Sequence, residues 1–300
     1  MSKLKDILKL QSVSYNQWRV FAYVVRELKG MGCNYYTFNG CIYVTKGEAD
    51  NYPCIVAHMD TVYNFVEDLT LIEVDGSITG LNKVTMSQTG IGGDDKIGVY
   101  IALQCLRDVD NIKAVFFRDE ETGCEGSYNN DKEFFDNCGF VLQCDRRGNN
   151  DFVTSAGGTQ LASNEFQNDV APILKRRRYQ LAHGMMTDVM ALKETGIECS
   201  MANISCGYYN PHTNQEYVNI QDVENCLRMV MEIITKLGGK QYLFKTKKQT
   251  VYDDYYWVDN KKGTTQFCDC CGEYEALEYV SEYNIEMCIK CVQQYVGYRR

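Results

Sequence analysis

Apolar, strand-like runs alternate with helical segments along this chain, and the alternation predicts an α/β domain with a mostly parallel central sheet and helices on both faces. The sequence predicts strands at residues 41–46, 53–57, 112–117, 139–144 and 199–204, and a hairpin at 69–79. Helical periodicity covers residues 3–10, 15–30, 96–106, 187–194 and 221–237. In such a sheet, ligand sites form at the carboxyl ends of the strands.

Four acidic or imidazole side chains stand just past the ends of predicted strands: His58, Glu120, Glu121 and Asp145. Two further groups have other local contexts. Asp94 lies in a Gly-Gly-Asp-Asp turn that opens a helix, and His212 lies in an Asn-Pro-His-Thr segment. Each has a simpler explanation alone: a buried histidine, a helix N-cap or a solvated loop. Their order, residue types and strand-end placement together predict a metal site.

Charge and hydropathy narrow the class of protein. The formal net charge of −9 argues against general nucleic-acid binding, although it leaves room for a local basic patch. No run approaches the roughly 18 apolar residues of a membrane span. The first ten residues alternate lysine with leucine and lack an apolar signal core, so we expect a cytoplasmic protein. Ten scattered cysteines then behave as small buried hydrophobes.

The polar motifs resemble those of the dinuclear zinc peptidases that include peptidase T, carboxypeptidase G and related aminopeptidases. The resemblance covers roughly residues 50–238. It is carried by Ala57-His58-Met59-Asp60-Thr61-Val62, Gly93-Asp94-Asp95-Lys96-Ile97-Gly98, Asp119-Glu120-Glu121-Thr122-Gly123, Gly126-Ser127, Asp145, Gly184-Met185-Met186-Thr187-Asp188 and Pro211-His212-Thr213.

The resemblance implies a role for each matching residue. Asp94 would bridge two zinc ions, His58 and Asp145 would bind one, and Glu121 and His212 the other. Glu120 would be the general base, and Asp60 would orient His58. Because the ligands are carboxylates and imidazoles without thiolate, cobalt or manganese would also suit the site.

The chain departs from peptidase T and carboxypeptidase G between the fourth and fifth ligands. Those enzymes carry a lid domain there, whereas Asp145 and His212 are only 67 positions apart. The layout is closer to the lidless aminopeptidases. In the loop predicted for residues 149–183, Arg176 or Arg177 could hold a substrate carboxylate, and His183 could stabilise an oxyanion. The alternative for the Lys-Arg-Arg-Arg run is a solvated face.

Three domains are predicted: a hydrolase at residues 1–239, a connector at 240–265 and a zinc ribbon at 266–300. The ribbon's spacing, Cys-x2-Cys, sixteen residues, Cys-x2-Cys, is typical of a closed structural zinc site. Its ligands would be Cys268, Cys271, Cys288 and Cys291. The segment is acidic, which argues against phosphate binding and favours docking of a protein partner or self-association.

The function predicted from these patterns is an aminopeptidase acting on short peptides, with two catalytic zinc ions and one structural zinc ion. One alternative is an amidohydrolase that removes an acyl group from an N-acyl amino acid or a related small metabolite. A second alternative is an inactive hydrolase fold that binds partners through the ribbon. No membrane partner is expected.

Overall fold

The computed structural model describes residues 2–245, together with the backbone of residues 277–280 and 285–288. Within these ranges the strands are β1 (Asn34–Phe38), β2 (Cys41–Lys46), β3 (Tyr52–His58), β4 (Leu69–Val74), β5 (Ser77–Asn82), β6 (Ser87–Thr89), β7 (Ile112–Phe117), β8 (Cys138–Arg146), β9 (Asp151–Ala156), β10 (Thr159–Gln160), β11 (Gln180–Gly184), β12 (Ser200–Ser205), β13 (Tyr208–Tyr209), β14 (Tyr217–Asn219), β15 (Leu277–Val280) and β16 (Ile285–Cys288). The helices are α1 (Ser2–Leu8), α2 (Trp18–Met31), α3 (Gly93–Asp108), α4 (Glu125–Tyr128), α5 (Asn164–Arg177), α6 (Asp188–Glu194) and α7 (Ile220–Leu237), with a 3-10 turn at Lys132–Phe135.

The main sheet has the order β1-β2-β7-β3-β8-β12-β9-β10, with β11 beside β9. Its four central strands, β7, β3, β8 and β12, run parallel, whereas β2 and β9 join them antiparallel. The prediction of an α/β fold with a mostly parallel centre is therefore confirmed, within a sheet that is mixed as a whole.

Both faces of the sheet are covered, as the near-continuous apolar runs of its central strands require. On one face, Ile55 and Ala57 of β3 join a hydrophobic cluster that includes residues of α1, α2, α3, α5 and α7. On the other face, Cys54 and Val56 join a second cluster with the 3-10 turn and α6. Every residue of β3 is consequently buried, including the last, His58.

A smaller sheet, β13-β14-β5-β4 with β6 beside β5, connects the motifs. The predicted hairpin is present as β4 and β5, and its turn residues Asp75 and Gly76 both have positive φ. Asp-Gly is the usual pair for such a turn, since its twist matches that of the strands. Strands β4, β5 and β6 of this sheet lie between Asp60 and Asp94 in the sequence, and β13 and β14 flank the His212 segment.

The predicted loop at residues 149–183 is wrong, because β9, β10, α5 and β11 occupy it. Ser163 caps α5 by accepting a hydrogen bond from the Phe166 amide, 3.1 Å away. Apolar residues of α5 are buried although Pro172 lies inside the helix. The burial of this face outweighs the penalty of an interior proline.

The start of the predicted connector packs on the domain. Tyr242 is 1% exposed and contacts Phe140 and Phe166 edge-on. The rest of the connector lies outside the described residues. So do Cys268, Cys271 and Cys291, and only the backbone of Cys288 is described, at the end of β16. The structural zinc site therefore stays a prediction. Among the described helices, none combines the length and apolar character needed to cross a membrane.

Candidate metal centre

The carboxyl ends of β3, β7 and β8 lie side by side, and the polar residues predicted there meet at one edge of the sheet. His58 is the last residue of β3 and is the parallel partner of Phe117 at the end of β7. Glu120 and Glu121 follow β7, and Asp145 lies at the end of β8. Parallel pairing thus brings together residues that are far apart in the sequence.

Five of the predicted residues form two sets of three that share Asp94. In the first, the buried set, His58 Nε2 lies 3.2 Å from Asp94 Oδ1 and 3.7 Å from Asp145 Oδ1. In the second, the exposed set, His212 Nε2 lies 3.3 Å from Asp94 Oδ2 and 3.1 Å from Glu121 Oε2. Within each set the candidate ligand atoms all lie within 4.8 Å of one another. Asp94 therefore presents one oxygen to each set.

Asp94 is held in a turn whose backbone is not helical, directly before the regular part of α3. The peptide bond between Asp94 and Asp95 is cis. The buried Glu216 carboxylate accepts hydrogen bonds from the Ile91 and Gly92 amides, at 2.8 and 2.6 Å. Asp95 accepts from the Gly98 amide at 3.0 Å and so acts as the helix cap, while Asp94 faces the site.

Asp145 is positioned by a polar network. Tyr208 donates its hydroxyl to Oδ1 at 3.1 Å, and Gln143 donates to Oδ2 at 3.2 Å. The Asn203 side chain pairs with both the backbone N–H and the carbonyl of Asp145. Thr187 and Asp188, from the predicted Gly-Met-Met-Thr-Asp stretch, each hydrogen-bond Gln143. These contacts restrict the carboxylate to one orientation.

Asp60 touches His58 as predicted, and it also holds the segment that follows β7. The His58 Nδ1 atom lies 3.1 Å from the Asp60 carbonyl and 3.3 Å from Asp60 Oδ1. The same carboxylate accepts the Glu120 amide at 3.0 Å and the Glu121 amide at 3.3 Å. Glu120 Oε2 lies 4.0 Å from His58 Nε2, at the edge of the buried set.

The site concentrates negative charge in a buried place. Burial and the nearby Asp94 raise the pKa of Asp145 to about 8, and burial raises the pKa of Glu120 well above its usual value. Hydrogen bonds with Asp94 and Glu121 raise the pKa of His212 to about 10. Carboxylates packed in this way favour bound cations, which offset their mutual repulsion.

A second observation, on Glu121, also indicates that these residues fit a pair of divalent ions. Glu121 Oε1 is buried and has no hydrogen-bond partner among the residues that the structure describes, although its other oxygen contacts His212. A buried carboxylate oxygen that accepts no hydrogen bond from the protein normally has another partner, such as a bound ion. The donors are imidazole nitrogens and carboxylate oxygens, which suit zinc and also cobalt or manganese.

The three residues that were predicted to bind substrate lie away from both ligand sets. Arg176 and Arg177, at the end of α5, both pair with Glu232 of α7. His183 Nδ1 contacts the Ser155 hydroxyl on the neighbouring strand β9. Among the described contacts, none joins these three residues to either set. The arginines thus match the alternative of a solvated face, where they pair with Glu232.

The sequence reasoning missed several residues that support the site: Glu216, Tyr208, Gln143 and Asn203. Glu216 is four positions after His212, and Gln143 is two before Asp145, but nothing in their local sequence distinguishes them from ordinary polar residues. Their roles depend on contacts between distant segments. Only the fold brings these segments together.

Comparison with known proteins identifies the family and agrees with the fold. The model of peptidase family M28 matches residues 41–237. Aminopeptidase PepT from Bacillus cereus superposes with a TM-score of 0.65 at 13% identity, over 78% of this chain and 96% of that one. The aminopeptidase APDkam598 from Desulfurococcus kamchatkensis gives 0.64 at 15%, over 79% and 95%. The TET1 peptidase of Pyrococcus horikoshii gives 0.58 at 14%, over 79% and 99%. A search of curated proteins gives no match. At these identities the structural likeness establishes the fold.

Proposed function

The chain belongs to peptidase family M28, and from that premise we propose that it is an aminopeptidase that cleaves short peptides with the help of two zinc ions. His58, Asp94 and Asp145 would hold one ion, and Asp94, Glu121 and His212 the other. The observation that carries this proposal is the sharing of one carboxylate, Asp94, by two complete ligand sets. Glu120 stands beside the buried set, with its Oε2 atom 4.0 Å from His58 Nε2.

Two divalent ions bound there would supply the positive charge that lowers the pKa of a water molecule and polarises the scissile carbonyl. Glu120 acts as the general base: it takes the proton of the attacking water and returns it to the leaving amine. Asp60 positions Glu120 and Glu121 through their backbone amides and keeps the His58 ring oriented. Tyr208 and Gln143 keep Asp145 facing the site.

The choice of a peptide with a free amino terminus rests on two supports. The family is a peptidase family, and the similar structures named above are aminopeptidases or peptidases. The N-acyl amino-acid amidohydrolase would use the same ligands and the same base. A substrate panel separates the two, because only the aminopeptidase requires a free amine next to the scissile bond.

The test combines metal analysis with hydrolysis. We expect about three zinc equivalents in the full-length protein, two in the candidate centre and one in the predicted ribbon. The double variant Glu121→Ala, His212→Ala should lose at least one equivalent together with activity. Because the ribbon is present in both proteins, the difference between them reports on the centre alone. The panel contains short peptides with free amino termini, the same peptides with acetylated amino termini, and N-acetyl amino acids.

Glu120→Gln is the matched control, since it keeps the shape of the side chain and removes the base. It should keep the full metal content and lose roughly a hundredfold or more in kcat. Equal zinc content in wild type and double variant, with no hydrolysis after adding zinc, cobalt or manganese, would contradict the proposal. Hydrolysis of only the acetylated substrates would favour the amidohydrolase. The cytoplasmic location and the docking role of the ribbon remain predictions.

A further inference from the structure

The N-terminal segment at residues 11–16, which we call the strap, lies beside the candidate centre. It precedes residue 41, where the family match begins. Gln11 exchanges two hydrogen bonds with the Val66 backbone, and the Ser12 carbonyl accepts the Thr61 amide at 2.6 Å. The Ser12 hydroxyl donates to the Met59 carbonyl. The strap therefore lies along the segment that follows His58.

Ser14, two residues after Ser12 in the strap, contacts the Asp60 carboxylate that supports the site. The Ser14 hydroxyl donates to Asp60 Oδ2 at 2.8 Å. Asp60 has no exposed surface, and its two oxygens accept the amides of Glu120 and Glu121. Ser14 is thus linked through one carboxylate to the proposed base and to a proposed metal ligand, without touching either.

Tyr15 contacts residues on either side of Glu120 and Glu121 in the sequence. Its amide donates to Asp119 Oδ1 at 2.6 Å, and its hydroxyl donates to Glu125 Oε1 at 2.9 Å. Asp119 is buried and directly precedes Glu120. Tyr15 adopts a left-handed conformation, with φ of 62°, which turns its amide and side chain towards this segment. The strap joins the loop after β3 to the loop after β7.

From these contacts we infer that Ser14 is a positioning residue: its hydrogen bond keeps the Asp60 carboxylate in the orientation that places Glu120 and Glu121. The expected fall in kcat rests on the proposed function, whereas the expected effect on the orientation of Asp60 does not. Loss of the Ser14 hydroxyl removes one of the hydrogen bonds that fix the Asp60 carboxylate, so that this carboxylate holds the two amides less firmly. A displacement of a catalytic group by a fraction of an ångström is enough to lower the rate of the chemical step.

The test compares three full-length variants loaded with zinc: Ser14→Ala, Ser14→Thr and Ser12→Ala. The first removes the bond to Asp60, and the second keeps a hydroxyl at the same place. Ser12→Ala is the matched control, because it removes a hydroxyl from the same strap that bonds Met59 and not Asp60. Thermal unfolding and zinc content show that each variant is folded and loaded.

Two readouts are measured. Hydrogen exchange of the Glu120 and Glu121 amides, followed by mass spectrometry of the peptide that contains them, should quicken about tenfold in Ser14→Ala. The kcat for the best peptide of the panel should fall about tenfold, with KM within about twofold of wild type. Ser14→Thr should restore both values, and Ser12→Ala should change each less than about twofold.

Unchanged exchange at these amides in Ser14→Ala would overturn the inference even in an active enzyme. So would equal acceleration in Ser12→Ala, because the effect would then come from loosening the strap as a whole. If wild type hydrolyses nothing on the panel, the proposed function fails, yet the exchange result still decides whether Ser14 positions Asp60.

Discussion

The two ligand sets share Asp94 but differ in their surroundings. The side chain of His58 in the buried set is fully enclosed, whereas that of His212 in the exposed set is 51% exposed. His58 ends a central strand, and Asp145 of the same set is held by Tyr208, Gln143 and Asn203. His212 lies on a surface loop between β13 and β14. The contrast shows that the fold itself builds one set, while the other depends on a loop docking against it.

The shared carboxylate makes the sharpest test of this comparison. Asp94→Ala should remove both ions and lower kcat/KM by at least about a thousandfold, because each set loses a ligand at once. Asp68→Ala, an exposed aspartate that pairs with Lys83, is the control. Elemental analysis and peptide hydrolysis measure the outcome. Retention of one full equivalent in the centre would mean that one set needs no contribution from Asp94.

Truncation of the two histidines separates the sets by stability. In metal-free protein, His58→Ala should lower the free energy of unfolding by about 1–3 kcal/mol, because buried hydrogen-bonding groups lose their partner. His212→Ala should cost less than about 1 kcal/mol, since solvent screens its interactions. Urea unfolding in the presence of a chelator gives both values. Equal losses would show that the exposed loop is as firmly built as the strand end.

The network behind Asp145 can be weakened without touching a ligand. Tyr208→Phe removes one hydroxyl donor and should lower zinc affinity of the buried set, or activity, by roughly tenfold. Tyr209→Phe is a close control, because that neighbouring hydroxyl donates to Asp222, away from the sets. A zinc competition titration compares the two. Similar affinities would mean that Gln143 and Asn203 hold Asp145 without help from Tyr208.

The smallest effect concerns the pH response of the exposed set. Hydrogen bonds with Asp94 and Glu121 raise the pKa of His212 from 6.5 to about 10 in metal-free protein. A pKa raised on folding stabilises the folded state fully below the unfolded pKa of 6.5, and this contribution disappears as pH rises through about 10. Because His212 is half exposed, we expect only a few tenths of a kcal/mol. An NMR titration of the ring should show the raised pKa, and Glu121→Gln should lower it. A pKa near the usual value would mean that the loop is not docked.

The residues that could be predicted from the sequence are those with a local signature. His58, Glu120 and Asp145 follow apolar runs that are predicted to be strands, and the parallel pairing of these strands brings the three residues together. The resemblance to the dinuclear zinc peptidases implies five ligands, and the structure places their side chains in two sets. The same local reasoning found the Asp75-Gly76 turn.

Contacts between distant segments could not be predicted. Ser14 meets Asp60 across 46 positions, and Glu216 meets Gly92 across 124, and a serine or a glutamate in isolation shows neither contact. The error at α5 had another cause. Helix α5 contains Pro172 and ends in a basic run, but the Ser163 cap and the buried apolar residues stabilise it nonetheless.

The position of His212 in the sequence also determines when the exposed set can form during synthesis of the chain. As the chain is made from its amino terminus, the three ligands of the buried set are present once Asp145 has emerged, although Asn203 and Tyr208, which hold Asp145, follow later. The exposed set has all its ligands only 67 residues after Asp145, when His212 has been made. A chain that ends before residue 212 therefore has the ligands of one metal position at most. The proposed peptidase activity, which requires both, begins only when nearly the whole domain is present.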